Sequence, residues 1–136
     1  MRRAALILAL ILACTWAGTA GATAWHRTGA SVFGQPCDPW ETIGYHGDKF
    51  ADHPLTFAEL GMGTALGGLA YRQRIRVKDP VSRASITLRK LDIGLGGDAV
   101  AGLRRGLDVL YPALRRLLKG RASCSYTGVL WWRVLR

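Results

Sequence analysis

Polar and apolar side chains alternate most regularly in the middle of the chain. Over residues 69–77 one set of positions carries Tyr71, Gln73, Ile75 and Val77, and the alternate set carries Arg72, Arg74, Arg76 and Lys78. A period of two predicts a β-strand with the four basic side chains on one face. We expect that face to be solvated and to protect the strand from edge pairing. The following KDPVSR stretch predicts a hairpin turn, and residues 84–93 the returning strand.

The remaining pattern adds shorter strands and one helix. Residues 29–34 (GASVFG) predict a first strand, residues 53–60 a short buried segment, and YTGVLWWRVLR a terminal strand. After residue 108 the period changes to that of a helix, with Pro112 in its first turn and Gly120 as its C-terminal cap. Its apolar face is formed by Leu110, Leu114, Leu117 and Leu118. We therefore predict an all-β fold, a small closed or nearly closed barrel with one short helix.

The first 22 residues have the features of an export signal. Arg2 and Arg3 precede a run of ten apolar residues, and Ala20-Gly21-Ala22 fits a signal-peptidase site. This predicts a signal peptide over residues 1–22 and one domain over residues 23–136. Two alternatives are lipidation at Cys14 and an uncleaved anchor, although the run is shorter than the roughly 20 residues of a membrane span.

Cysteine count and charge extend this interpretation. Cys37 and Cys124 remain after the leader, and an exported pair predicts a disulfide; the alternative is two free thiols. Without Arg2 and Arg3 the chain keeps 17 basic and 9 acidic residues, a net charge of +8. Such a protein is attracted to acidic surfaces. The export signal makes nucleic acid the lesser alternative, and we expect no nucleic-acid partner.

Two aspartates stand between apolar neighbours on either side of a glycine-rich loop. Asp92 lies between Leu91 and Ile93, and Asp108 lies between Leu107 and Val109. Burying a carboxylate there costs free energy unless it is paired or serves chemistry. Asp108 has a structural alternative, as a cap of the following helix.

Cofactor chemistry finds no support in the sequence. The loop GLGGDAVAGL lacks the lysine and serine or threonine of a phosphate-binding loop, which argues against nucleotide binding. His46, His53, Asp48 and Asp52 are close in sequence, but their spacing matches no metal motif. We expect neither a metal site nor a cofactor.

Four segments, in order, resemble the double-psi β-barrel domain of the rare lipoprotein A family, which is similar to the expansin and barwin barrels. They are GASVFG, GDKFADHPLTFAE, LGGLAYRQRIRV with ITLRKLDIG, and RGLDVLYPALRRL. The resemblance covers about residues 29–135 and implies a six-stranded double-psi barrel.

The resemblance also implies a groove on that barrel. Asp92, Asp108 and Asp48 match the family's acidic positions and become candidate catalytic residues, with Asp92 as acid and base. Glu59 stands where the family has a histidine, Ala51 where it has an aspartate and Ile93 where it has an arginine. The candidate ligand contacts are Glu59 and three aromatic residues, Tyr45, Trp40 and Phe50. The structural alternative for Glu59 is an ion pair with an arginine on the neighbouring strand.

The expected function follows from the family. Its members bind peptidoglycan glycan strands, and some cleave them as lytic transglycosylases. We therefore expect a secreted or cell-wall protein, monomeric, and without membrane contact unless lipidated at Cys14. Its partner would be peptidoglycan glycan or an acidic wall polymer, and the basic strand face is a lesser candidate for wall binding. The alternatives are a non-catalytic, expansin-like wall-loosening module and a secreted interaction domain with a vestigial groove.

Overall fold

A computed structural model describes residues 24–136 of the chain. The predicted leader and Cys14 lie outside these described residues. Within residues 24–136, no helix is both long and apolar enough to span a membrane.

Strands account for most of the regular structure. In chain order, the strands are β1 His26–Phe33, β2 Thr56–Glu59, β3 Arg74–Lys78, β4 Ser85–Ile93, β5 Ala99–Val100, β6 Leu103–Leu110 and β7 Thr127–Val134. The helices are α1, one turn at Leu60–Gly63, and α2 at Tyr111–Leu118, with 3₁₀ turns at Phe50–Asp52 and Lys119–Arg121.

Six of the strands close into a barrel. The sheet order is β1-β7-β3-β4-β2-β6, and β1 also pairs with β6, so that the sheet has no open edge between its first and sixth strands. The β1–β6 and β2–β4 pairs are parallel and the other four barrel pairs are antiparallel. β5 only extends β6 as a short hairpin. The predicted fold class, an all-β six-stranded barrel with one short helix, is confirmed.

The barrel interior is apolar and α2 closes one side of it. Alternate residues of the strands point inward and join the buried face of the helix. The inward set includes Phe57, Ile75, Val77, Leu88, Leu107, Val109 and Leu130, and the helix adds Ala113, Leu114, Leu117 and Leu118. A second, smaller cluster lies on the outer face, where Phe33, Phe50, Ala58 and Leu110 pack together. The predicted helical face is confirmed for Leu114, Leu117 and Leu118, but Leu110 ends β6 and lies in the outer cluster.

The predicted central hairpin forms, but its first strand starts later than expected. β3 and β4 pair in antiparallel register from Arg74 opposite Arg89 to Lys78 opposite Ser85. Arg72 precedes the strand in a turn with φ of 68°. Its guanidinium lies 5.2 Å from the Tyr71 ring centre. Three of the four predicted basic residues therefore share the outer face of β3, and Arg72 does not.

The helix begins and ends differently from the prediction. Leu110 is the N-cap residue and makes no side-chain capping bond, with Pro112 in the first turn as expected. Asp108 lies inside β6, so its predicted alternative role as the helix cap is wrong. Lys119, with φ of 54°, takes the left-handed position that Gly120 was predicted to occupy.

The predicted disulfide joins Cys37 to Cys124 across a sequence separation of 87 residues. It ties the long β1–β2 connection to the segment before β7. That connection folds back on the outside of the barrel: the backbone of Ile43 pairs with that of Lys49. Gly44 lies so close to β4 that an added Cβ would overlap the carbonyl oxygen of Leu91.

Candidate functional site

Asp92 and Asp108 occupy one level of the barrel's outer face. Ala58 on β2 is opposite Asp92 on β4 and opposite Asp108 on β6. Ser31 on β1 is opposite Asp108 and extends the row. Directly opposed residues project to the same face of a sheet, and strands lie about 4.8 Å apart, which puts the two aspartate Cα atoms roughly 10 Å apart. Ala58 is itself buried, in the outer cluster with Phe50, so the β1–β2 connection covers the middle of the row.

The carboxyl of Asp108 is the most strongly perturbed in this row. Burial raises the pKa of Asp108 to about 6. The Ser31 hydroxyl donates a hydrogen bond of 2.9 Å to Asp108 Oδ1, and Arg105 donates to the same hydroxyl at 2.7 Å, but these contacts only partly oppose the effect of burial. Asp108 is therefore protonated in a mildly acidic medium, where an ordinary aspartate is ionised.

The carboxyl of Asp92 is held by the β1–β2 connection. The backbone N–H of Tyr45 donates to Asp92 Oδ1 at 3.1 Å, next to the close contact of Gly44 with β4. Burial raises the pKa of Asp92, and the backbone N–H groups of Tyr45 and Ile93 counteract part of that rise. The side chain is only half-buried, so it combines desolvation with access from solvent.

Two further acids, Asp38 and Glu41, complete what we call the acidic cluster together with Asp92 and Asp108. Burial, and then the charges of Asp38 and Asp92, raise the pKa of Glu41. The charges of Glu41 and Asp38 in turn raise the pKa of Asp108. Glu41 therefore interacts electrostatically with both aspartates of the row. The sequence analysis missed it, because its role depends on where the β1–β2 connection folds back against the barrel.

Asp48 belongs to a separate network beside the cluster. The Tyr71 hydroxyl donates a short hydrogen bond to Asp48, and His53 Nε2 lies 3.9 Å from Asp48 Oδ1. The His46 ring stacks between Tyr45 and Tyr71, 4.1 Å from each ring centre. Tyr45 is therefore the link between the Asp48 network and Asp92, through its ring and its backbone N–H.

The three predicted aromatic contacts differ in exposure. Trp40 is 80% exposed and Tyr45 is 46% exposed, so both present ring surface to a ligand. Phe50 is 5% exposed and packs edge-on against Phe33 at 5.3 Å between ring centres. Phe50 still forms part of the wall of a cavity of about 250 Å³, which is lined by Gln35, Glu41, Thr42, Phe50, Ala51, Leu110 and Pro112. Its main role is to pack the connection onto the barrel.

Glu59, predicted to contact the ligand, is wholly inside the protein. Its exposed fraction is 0%, and Lys90 Nζ lies 2.8 Å from Glu59 Oε2. The two carboxylate oxygens also accept the backbone N–H groups of Leu66, Gly68 and Leu69 at 2.8–2.9 Å. With its oxygens so occupied, Glu59 fixes the turn after α1 and cannot reach a ligand in the groove. The predicted binding role of Glu59 is therefore wrong.

Within residues 24–136 no group of three His, Cys, Asp or Glu side chains is arranged to bind a metal ion. The chemistry available here is that of carboxyl groups with raised pKa beside exposed aromatic rings. Comparison of the chain with models of protein families and with curated proteins found no match.

Proposed function

We propose that this protein is exported and cleaves peptidoglycan glycan strands in the manner of a lytic transglycosylase. The observation that carries the proposal is the row of Asp92, Ala58 and Asp108, which sets two desolvated carboxyls on one level of the barrel's outer face. The sequence resemblance to the rare lipoprotein A family supports the choice of substrate. The disulfide is compatible with an oxidising compartment.

The reaction requires one carboxyl that is protonated first and ionised later. Protonated Asp92 donates its proton to the glycosidic oxygen, and the bond from that oxygen to the sugar C1 breaks. The carboxylate then accepts the proton of the sugar's C6 hydroxyl as O6 bonds to C1, giving a 1,6-anhydro end without water. Asp92 suits this role because its carboxyl is desolvated yet accessible.

The spacing of the row argues against a retaining pair of carboxyls, whereas an inverting pair, about 6.5 to 9.5 Å apart, remains the hydrolytic alternative. Retaining hydrolases hold two carboxyls about 5 Å apart, roughly half of the Cα separation across Ala58. Asp108 is instead suited to binding: protonated near its pKa of about 6, it is a hydrogen-bond donor to a sugar hydroxyl. Trp40 and Tyr45 supply ring surface for stacking on sugar.

One observation favours a second candidate, a non-catalytic wall-binding or wall-loosening module. Glu59, at the position where the family has a groove histidine, is withdrawn into an internal ion pair with Lys90. The groove then lacks one polar member that the family resemblance would place there. A module of this kind would bind the glycan through the same aromatic rings and leave it intact.

Digestion of purified peptidoglycan sacculi tests the proposal. Sacculi, intact or stripped of stem peptides, are treated with wild type, Asp92→Asn and Asp108→Asn, and products are identified by mass spectrometry. We expect anhydro-ended fragments from wild type, none from Asp92→Asn, and slower release with unchanged chemistry from Asp108→Asn. Asp52→Asn removes an exposed carboxylate outside the acidic cluster and should keep the wild-type products.

The outcomes separate the candidates. Reducing-end fragments instead of anhydro ends would mean hydrolysis and a second carboxyl group. Co-sedimentation of wild type with sacculi, without any soluble product, would reject the enzyme and support the wall-binding module. Loss of products in Asp108→Asn but not in Asp92→Asn would move the acid to Asp108.

A further inference from the structure

The barrel carries a second charged surface across from the acidic cluster. We call it the basic face; it consists of Arg27 on β1, Arg133 on β7, Arg74, Arg76 and Lys78 on β3, and Arg89 on β4. In the closed order of strands, β7 and β3 lie opposite β2 and β6, which hold Ala58 and Asp108. The two charged surfaces are thus on different sides of the molecule.

The strand register sets these cations side by side. Arg74 is directly opposite Arg89, and Arg76 is directly opposite Arg133. Lys78 is opposite Trp131, which is itself opposite Arg27. Like charges placed directly opposite destabilise a sheet. Two such pairs on adjacent strands are a cost to folding that a bound anion would relieve.

Within residues 24–136, no carboxylate forms an ion pair with any member of the basic face. The ion pairs of these residues lie outside the basic face, for example those of Asp79 with Arg121 and of Asp98 with Arg105. The serine and threonine hydroxyls of β4 orient the Arg76 guanidinium, at 3.1 Å from Ser85 and 3.0 Å from Thr87. The cations are therefore positioned without being neutralised.

Two tryptophan rings contact the cations at the other end of the basic face. Lys78 Nζ lies 4.3 Å from the ring centre of Trp25 and 5.1 Å from that of Trp131. The Arg133 guanidinium lies 4.6 Å from the ring centre of Trp25. These cation–π contacts limit the motion of long side chains that would otherwise be free, so less entropy is lost when an anion binds.

We propose that the basic face is a docking site for a linear anionic glycopolymer, a chain of sugars or polyols with one phosphate or carboxylate per repeat. Alternate residues of a strand are about 7 Å apart and adjacent strands about 5 Å apart, so the face presents a regular lattice of cations to a regularly charged chain. Docking there would hold the protein at an acidic matrix and leave the opposite acidic cluster free.

A polymer backbone fits this surface better than a nucleic acid does. Binding of single strands relies on bases stacked on open aromatic rings. On the basic face the rings of Trp25 and Trp131 are covered by Lys78 and Arg133. What remains is an array of point charges, suited to an anionic backbone. The proposal shares with the proposed function only the location outside the cell, because it uses other residues.

Binding of defined polymers to matched charge variants tests the proposal. Arg74→Gln/Arg89→Gln removes two exposed cations of the face. Arg115→Gln/Arg116→Gln removes two exposed cations of α2, so both variants have the same net charge. Affinity is measured by titration calorimetry with poly(glycerol phosphate), polygalacturonate, neutral dextran and a DNA duplex at two salt concentrations.

We expect wild type to bind one or both anionic polymers, more weakly at high salt, and not to bind dextran. The Arg74/Arg89 variant should bind about five- to tenfold more weakly, and the α2 variant within about twofold of wild type. Preference for poly(glycerol phosphate) or for polygalacturonate would identify phosphate or carboxylate as the ligand group.

Equal loss in both variants would overturn the proposal, since net charge alone would then explain binding. Tighter binding to the DNA duplex than to either polymer would overturn it as well. Its failure is distinguishable from failure of the proposed cleavage: the Arg74/Arg89 variant should digest peptidoglycan stripped of anionic polymers at the wild-type rate, whereas a loss of cleavage chemistry would leave polymer binding intact.

Discussion

The Asp108 carboxyl makes the stability of the folded state depend on pH. Its folded-state pKa, about 6, is above the value of 3.8 for a free side chain. Between these values Asp108 binds more protons in the folded protein than in the unfolded chain, so its contribution to stability is fully present below about pH 4 and is lost as pH rises through 6. Asp92 and Glu41, whose pKa values are also raised, act in the same direction.

Replacing Asp108 by asparagine should remove part of that decline. Asparagine keeps an acceptor for the Ser31 hydroxyl but carries no charge. We expect the loss of unfolding free energy between pH 4 and pH 7.5 to be about 1 to 3 kcal/mol smaller in Asp108→Asn than in wild type. Urea unfolding at both pH values measures it.

The matched control for this prediction is Asp52→Asn, which removes an exposed carboxylate in the Phe50–Asp52 turn. It should retain the wild-type decline with pH. An Asp108→Asn profile parallel to that of wild type would show that the carboxyl is solvated in the folded state, and would remove the physical basis for its role as a protonated donor.

At the scale of single residues the sequence was partly predictive. Apolar neighbours on both sides correctly marked Asp92 and Asp108 as desolvated, and for Asp108 those neighbours, Leu107 and Val109, lie in the core. Glu41 was not predicted, since its role depends on where a long connection folds back. Glu59 was assigned to the groove by resemblance, but its ion pair with Lys90 on the adjacent strand depends on register.

At the scale of elements, the contact of the β1–β2 connection with β4 shapes the site. Gly44 has no room for a side chain against the Leu91 carbonyl, and the next residue donates its N–H to Asp92. We expect Gly44→Ala to push the connection away, cost about 1 to 3 kcal/mol of stability and expose Asp92 to water. Urea unfolding measures the first effect. NMR titration of the Asp92 carboxyl measures the second, as a pKa closer to that of a free aspartate.

Gly120→Ala is the matched control, because an added Cβ there meets no atom within 4 Å. It should change stability by no more than about 0.5 kcal/mol. If Gly44→Ala were equally neutral, the close approach of the connection to β4 would not contribute to folding, and the position of Tyr45 would need another cause.

The buried pair of Lys90 on β4 and Glu59 on β2 should be intolerant of single replacement. Lys90→Met leaves a fully buried carboxylate without its cation, which typically costs about 3 to 5 kcal/mol. The double variant Lys90→Met/Glu59→Gln should recover part of that loss, because glutamine still accepts backbone N–H bonds and carries no charge. Additive losses in a denaturant double-mutant cycle would contradict the coupling.

Element types followed from periodicity more reliably than element ends did. The hairpin of β3 and β4 was predicted because apolar and polar residues alternate strictly over both strands. The start of β3 was not predicted: Arg72 continues the alternation in sequence but has a left-handed backbone conformation. Aspartate is a residue type that commonly caps helices. At Asp108, however, β6 continues for two more residues, because Val109 and Leu110 are buried against the barrel.

For the whole molecule, the spacing of the strands predicted a barrel, but its six strands were expected only through the resemblance. The parallel pairing of β1 with β6 joins residues more than 70 positions apart, and no local pattern encodes that contact. The segregation of charge has the same origin. Asp92 and Arg89 are three residues apart on β4, which lies between β3 of the basic face and β2 of the acidic row and so contributes one member to each surface.

The disulfide provides the most direct test at this scale. It closes a loop of 87 residues, so in the chain-entropy model its removal costs about 4 to 5 kcal/mol through the unfolded state. We expect Cys37→Ser/Cys124→Ser to unfold at a lower urea concentration, with a free energy of unfolding about 2 to 5 kcal/mol smaller than that of wild type. The variant should retain the barrel, because neither cysteine is in a strand.

The same variant shows whether the connection needs its covalent tie to hold the site. The hydrogen bond from Tyr45 to Asp92 and the packing of Phe50 on Phe33 both lie beyond Cys37 in the connection. If these contacts suffice, amide exchange at Tyr45 stays slow in the variant; if the disulfide is required, that amide exchanges rapidly while β3 and β4 remain protected. Reduced wild type should behave as the variant does. A stability equal to that of oxidised wild type would mean that the unfolded chain is already constrained, and that the disulfide acts only locally on the connection.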